Sequence, residues 1–244
     1  MPNHVLLNNQ EHQHIKINNQ RNERLGDSTW YAPTFVAEFK TVQAHYPIMF
    51  QKDPQTGQFC PVVLFGFKHD ENLFLSAGQW NASYIPVSIR RLPFYIGFQQ
   101  KNDNGVAVKE RVITIDMDSP RVNTEHGQSL FLPFGGHTDY LDSIANMLEA
   151  LHHGMQQNGE FVSLLLKHDL LEPITLDIEL NDESKHQLIG FYSIDEDKLA
   201  QLSHDAMFEL HQARFLEPLY MIVASQAQIR KLVEFKNQQL AQAS

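Results

Sequence analysis

The sequence predicts an α+β protein in which antiparallel β-hairpins form one or two sheets, with helices packed on them. Three observations carry this expectation. Between residues 30 and 118, apolar runs of strand length recur in pairs around polar turns. From residue 138, apolar residues repeat at helical spacing. Further on, "ITLDIEL" and "HQLIGFYSI" flank the polar turn "NDESK", with Ile174, Leu176, Ile178 and Leu180 alternating.

Residues 1–28 are rich in Asn, Gln and His and read as an irregular N-terminal arm, followed by a single domain over 29–244. Within the arm, "HIKIN" alternates Ile15 and Ile17 with polar neighbours, the pattern of a short strand. "CPVVLFGFK" and "ENLFLS" are expected to form a hairpin across His69 and Asp70. "PFYIGFQ" and "ERVITIDM" form a second pair, with Asn104-Gly105 as a turn signal because both residues tolerate positive φ. Between the pairs, Pro86 can open a short helix through "VSIRR" that Pro93 ends.

Thr138 is the expected N-cap of a helix with Ile144, Met147, Leu148 and Leu151 on one face. Asn158-Gly159 is expected to divide it from a second helix that runs toward Pro173. A short helix begins at "DEDKLAQL", and Ser203 caps another through "HDAMFELHQA". "RFLEPLYMIVAS" reads as containing a strand, and Ser225 as the cap of the final helix. That helix turns Ile229, Leu232, Val233 and the stem of Lys236 inward.

Composition narrows the function. With 19 Lys plus Arg against 29 Asp plus Glu, the chain carries a net charge of −10. That argues against nucleic-acid binding over a broad basic face, though not against a local basic pocket. Cys60 is the lone cysteine, so no intrachain disulfide or thiolate metal cluster is available. It reads as a small apolar residue rather than a nucleophile. No export signal and no membrane span are apparent, so a cytoplasmic location is expected.

The blocks "HYPIMF" (45–50), "ENLFL" (71–75) and "QWNASYIPVSIRRLPF" (79–94) resemble the SapC-like family of bacterial proteins. So do "GFYSIDEDKLAQLSHDAMFEL" (190–210) and "LEPLYMIVASQAQIRKLV" (216–233), in the same order along the chain. The family name comes from association with a bacterial surface layer, and the resemblance brings no catalytic residue with it. It implies a setting beside flavin-dependent tryptophan-halogenase-like proteins, cupin-like oxygenase-like proteins and TonB-dependent receptors. The expectation is an accessory protein that binds a peptide or partner protein in a modification or uptake system. A peptide permease conflicts with the lack of a spanning segment. Whether the chain oligomerises is left open.

The candidate ligand-binding residues are Trp80, Tyr84, Arg90, Arg91, His45 and Tyr46. Arginine suits planar carboxylates, and neighbouring aromatic rings exclude water and strengthen the contact. On a helix from Pro86, Arg90 and Arg91 point about 100° apart, so at most one faces a given surface, and the other can pair with an acidic segment or a helix C-terminus. The structural alternative is an internal salt bridge to Asp195, Glu196 or Asp197. His45 and Tyr46 suit acid–base work if they line a pocket; otherwise Tyr46 packs and its hydroxyl finds a backbone partner.

An enzyme reading rests on "HTD" at 137–139, the His-x-Asp of an iron- and 2-oxo-acid-dependent oxygenase, with His204 as a distal ligand and Arg214 for the oxo acid. With 13 histidines in the chain, such triplets arise by chance, and Asp139 at a helix start has a capping role of its own. No metal site and no cofactor are therefore expected. A surface-layer structural component is the third reading.

Overall fold

The computed structural model describes residues 3–76, 78–103 and 106–243. In chain order, β1 (His4–Leu6), β2 (Lys16–Ile17) and β3 (Tyr31–Pro33) precede α1 (Phe39–Val42), β4 (Ile48–Lys52) and β5 (Phe59–Leu64). Next come β6 (Leu75–Ser76), β7 (Gln79–Trp80) and α2 (Val87–Arg90). Then follow β8 (Phe94–Asp103), β9 (Val106–Asp116), β10 (Val122–Asn123), β11 (Gln128–Ser129) and the long α3 (Asp139–Lys167). The chain continues through β12 (Leu171–Glu179), β13 (Lys185–Ile194), α4 (Glu196–Ala200), α5 (His204–Gln212), α6 (Leu216–Ser225) and α7 (Gln228–Ala243). The fold is α+β.

The main sheet is antiparallel and runs β12-β13-β4-β5-β3. A second sheet, β1-β9-β8, and a smaller one, β10-β2-β11, stand apart from it. Each group has its own core. Tyr46, Phe50, Phe65, Phe74, Phe161 and Phe191 sit in the larger one, and Ile17, Phe94, Ile115, Leu130 and Ile144 in the smaller. At 1.5 Å per residue, α3 is roughly 43 Å long and spans both. Leu141, Ile144 and Leu148 pack in the small core, while Phe161, Val162 and Leu165 pack in the large one.

Local rules explain most of the elements. Thr138 caps α3 by accepting from the Leu141 amide, Asp195 caps α4 and Ser203 caps α5. β8 pairs with β9, and β12 with β13. The turn signal at 104–105 lies outside the described residues. The first 28 residues contribute two strands: β1 adds to β9, and β2, the strand expected at "HIKIN", lies between β10 and β11 with Ile17 fully buried.

Tertiary contacts overturn five local expectations. β5 does not pair with "ENLFLS"; it pairs with β4, across a turn in which Asp53 Oδ1 accepts from the Gln55 and Thr56 amides. Leu75 and Ser76 pair instead with Trp80 and Gln79. α3 runs straight through Asn158-Gly159. The Asn158 side chain accepts from Val36 N at 3.0 Å and donates to Thr34 O at 2.9 Å, and the apolar stripe resumes at Phe161. That gain outweighs the ~1 kcal/mol that a mid-helix glycine costs. Earlier in α3, Gly154 brings Phe35 against the helix backbone: a Cβ there would lie 2.2 Å from the Phe35 ring.

"LEPLYMIVAS" is helical. Pro218 falls in the first turn, where its missing N–H costs little, and Leu219 and Ile222 bury the inner face. Ser225 ends α6 rather than capping α7: its Oγ accepts from Ile48 N and donates to Ile222 O. Lys236 buries more than its stem, since its Nζ reaches Glu71 Oε1 at 2.7 Å.

Replacing Asn158 by Ala strands a buried N–H and a buried carbonyl. The expected loss, read from urea unfolding, is about 2–4 kcal/mol.

Candidate functional site

The site grows from a buried carboxylate. Glu38, 4% exposed, follows β3 in a tight helical turn that leads into α1. Its Oε2 accepts from the Thr34 hydroxyl at 2.7 Å. Its Oε1 accepts from the Tyr84 hydroxyl at 2.8 Å and from the amide of Val87, the first residue of α2, at 2.7 Å. Burial raises the Glu38 pKa, opposed by those three donors and by the charge of Arg90. Burial and the Glu38 charge also push the Tyr84 hydroxyl upward. Glu38 therefore positions both Tyr84 and the start of the helix that carries Arg90 and Arg91.

The two arginines take different places. Arg90 is exposed and lines a cleft of about 470 Å³. Arg91 turns the other way: its Nη1 donates to Phe94 O at 2.7 Å, and its guanidinium lies over the Tyr95 ring, 4.2 Å from the centroid. Burial lowers the Arg91 pKa. Among the described residues neither arginine forms an ion pair with a carboxylate. The acidic stretch at 195–197 is engaged elsewhere, with Asp195 capping α4 and meeting Lys198.

The rest of the lining comes from the N-terminal segment and α3. Arg21, Asn19 and Tyr140 line the cleft with Ser83, Tyr84, Ile85, Ser143, Ile144 and Met147. Arg21 is held by a hub that sequence reasoning missed. Asp27, with no solvent exposure, accepts from Arg21 Nη1 at 3.2 Å and from the buried Arg121 Nη2 at 2.6 Å. Burial and the nearby Arg121 charge lower the Arg21 pKa. Tyr140 donates to Asn19 Oδ1 at 3.0 Å, and burial pushes its hydroxyl up to about 12. Arg21 and Asp27 are far from Arg121 in the chain, and no local spacing marks the three as partners.

The other expected site residues are placed as follows. Tyr46 is fully buried, donates to Tyr84 O at 2.5 Å and accepts from Trp80 Nε1 at 2.8 Å. Both rings pack against Phe65 and Phe74, so Trp80 and Tyr46 support Tyr84 from behind. His45 meets the Ser83 hydroxyl at 3.1 Å; burial and the Lys231 charge hold its pKa down.

His137 meets Asp142, and His204, almost fully exposed, lies near Asp205. Among the described residues, no three His, Cys, Asp or Glu side chains come close enough to hold a metal ion. Cys60 is half-buried in a different cleft of about 460 Å³, and burial raises its thiol pKa. A third cleft of about 500 Å³ lies beside Lys185 and His186 on the β12–β13 hairpin. Neither of these carries two guanidiniums.

Fold and cleft together define an α+β protein with an arginine-lined polar cleft where its two cores meet. A family model described as SapC matches residues 7–232, and the chain belongs to the SapC family. No curated protein and no solved structure matches it. No described helix is long and apolar enough to cross a membrane.

Two outcomes test this arrangement. Because burial raises the Glu38 pKa, its contribution to stability is fully present below the ordinary value of 4.5 and is lost as pH rises through the raised folded value. Glu38→Gln keeps an acceptor for Tyr84 and Val87 but no longer ionises. Urea midpoints taken between about pH 4 and 8 should show wild type losing stability relative to Glu38→Gln as pH rises. Arg91→Ala should cost about 1 kcal/mol through the lost stacking and hydrogen bond, and leave the cleft's ligand affinity unchanged.

Proposed function

We propose that this SapC-family protein is an accessory binding protein whose Arg21–Arg90 cleft captures an anionic group of a peptide or partner protein. One observation carries the reading. In a chain of net charge −10, two arginines from separate segments meet at one open cleft of about 470 Å³. A positive cleft on an acidic protein attracts anions selectively and repels them from the rest of the surface. Its aromatic backing, from Tyr84 and Tyr140, lowers the local dielectric and strengthens each guanidinium contact. The setting implied by the family resemblance, beside peptide-modifying and receptor-type proteins, suits the same role.

Arg90 is the residue to remove, because it is exposed and supports no ion pair among the described residues. Affinity selection from a random peptide mixture, read by mass spectrometry, should enrich peptides on wild type that Arg90→Ala no longer retains. The melting temperature should stay within about 1 °C, as for other exposed substitutions. Equal retention by both proteins, or no enrichment on wild type, overturns the reading.

A further inference from the structure

We infer that the group recognised in this cleft is the free C-terminal carboxylate of a peptide whose last side chain is apolar. This rests on the peptide-binding reading above and specifies its chemistry.

The first argument is charge. Apart from the tyrosines, the ionisable groups in the lining are Arg21 and Arg90; behind them, besides His45, lie Glu38, bonded to Tyr84, and Asp27, bonded to Arg21 and to Arg121. Three guanidiniums in this network against two carboxylates leave one positive charge in excess. A monoanion neutralises it; a phosphate dianion overshoots.

The second argument is donor supply. The hydroxyls around the cleft are already committed. Tyr84 donates to Glu38, Tyr140 to Asn19 Oδ1, and Ser143 to the Tyr140 carbonyl, while Ser83 shares its hydrogen bond with His45. Arg21 spends only Nη1, on Asp27 and Ile89 O, so its Nη2 and Nε have no partner among the described residues. Arg90 has five N–H groups and, among the described residues, meets the Tyr84 hydroxyl, with the Glu38 charge nearby. The free donors are therefore guanidinium N–H groups, whose planar fork matches a carboxylate. The Asn19 amide nitrogen, likewise unpartnered among the described residues, suits a backbone carbonyl one residue back.

The third argument is the apolar lining. Ile85, Ile144 and Met147 line the same cleft as the two arginines and offer it apolar surface. A peptide end with an apolar last residue satisfies both halves; an internal Asp or Glu side chain satisfies only one.

The test uses the full chain with 13C-methyl methionine, with the Met147 resonance assigned through Met147→Leu. N-acetylleucine should shift the Met147 methyl saturably, and N-acetylleucinamide should bind about tenfold or more weakly. Arg90→Ala should lose the N-acetylleucine response while its other methionine resonances stay in place, which shows that the variant is folded. Equal binding of acid and amide, or tighter binding of inorganic phosphate, overturns the inference. Binding of 4-methylpentanoate as tight as that of N-acetylleucine also overturns it, in favour of a small free acid. An acetylated and amidated tetraglutamate that binds through Arg90, while N-acetylleucine does not, removes the C-terminus proposal and leaves the peptide-binding reading standing. If neither probe binds, both fall.

Discussion

The burial of Arg121 beside Asp27 is the constraint on which the cleft depends. Arg121 is 1% exposed, and a guanidinium that deep is tolerated only when its charge is met and its N–H groups are used. Asp27 Oδ1 meets the charge, and the carbonyls of Asn18 and Gln20 take Nη1. Among the described residues its Nε has no partner, a local cost borne by the rest of the network. Asp27 also accepts from Asn22 N through Oδ2 and from Asn72 Nδ2 through its carbonyl. One residue thus ties the N-terminal segment to the 118–123 connection and to the large core. Arg21 inherits its place at the cleft from this hub, and its contact with Ile89 O brings α2 alongside.

Glu38 does the corresponding work for Arg90. Its two oxygens gather Thr34, Tyr84 and the start of α2, so the position of Arg90 follows from a buried carboxylate. Two buried acids thereby hold Arg21 and Arg90 in the lining of one cleft, beside α3. Each acid costs desolvation that its hydrogen bonds offset. What they secure is the geometry of a positive cleft on a protein that is negative elsewhere.

Part of the site was legible in the sequence. The block around Arg90 and Arg91 stood out, and helical geometry required the two side chains to diverge, as they do. Which of them lines a cleft depended on the neighbours. Tyr95, on the strand after Pro93, gives Arg91 a ring to stack on, whereas nothing covers Arg90. Arg21 carried no signal, because an arginine in a polar, Asn-rich segment looks like any solvated charge. Its meaning depends on Asp27 and Arg121, which lies 94 residues beyond Asp27. Tyr46 and Trp80 stood out singly as candidate site residues, but their role together behind Tyr84 needed the packing of the large core.

The sequence by itself determined the α+β class, the β8–β9 and β12–β13 pairings, and the caps at Thr138 and Ser203. Those features depend on side chains acting within a few residues of themselves. Tertiary structure decided the rest: the continuity of α3 through Asn158-Gly159, the helical state of 216–225, the partner of β5, and the meeting of Arg21 with Arg90. In each of these cases the deciding hydrogen bond or apolar contact comes from a distant segment. A local propensity worth about 1 kcal/mol yields to buried contacts that are worth more.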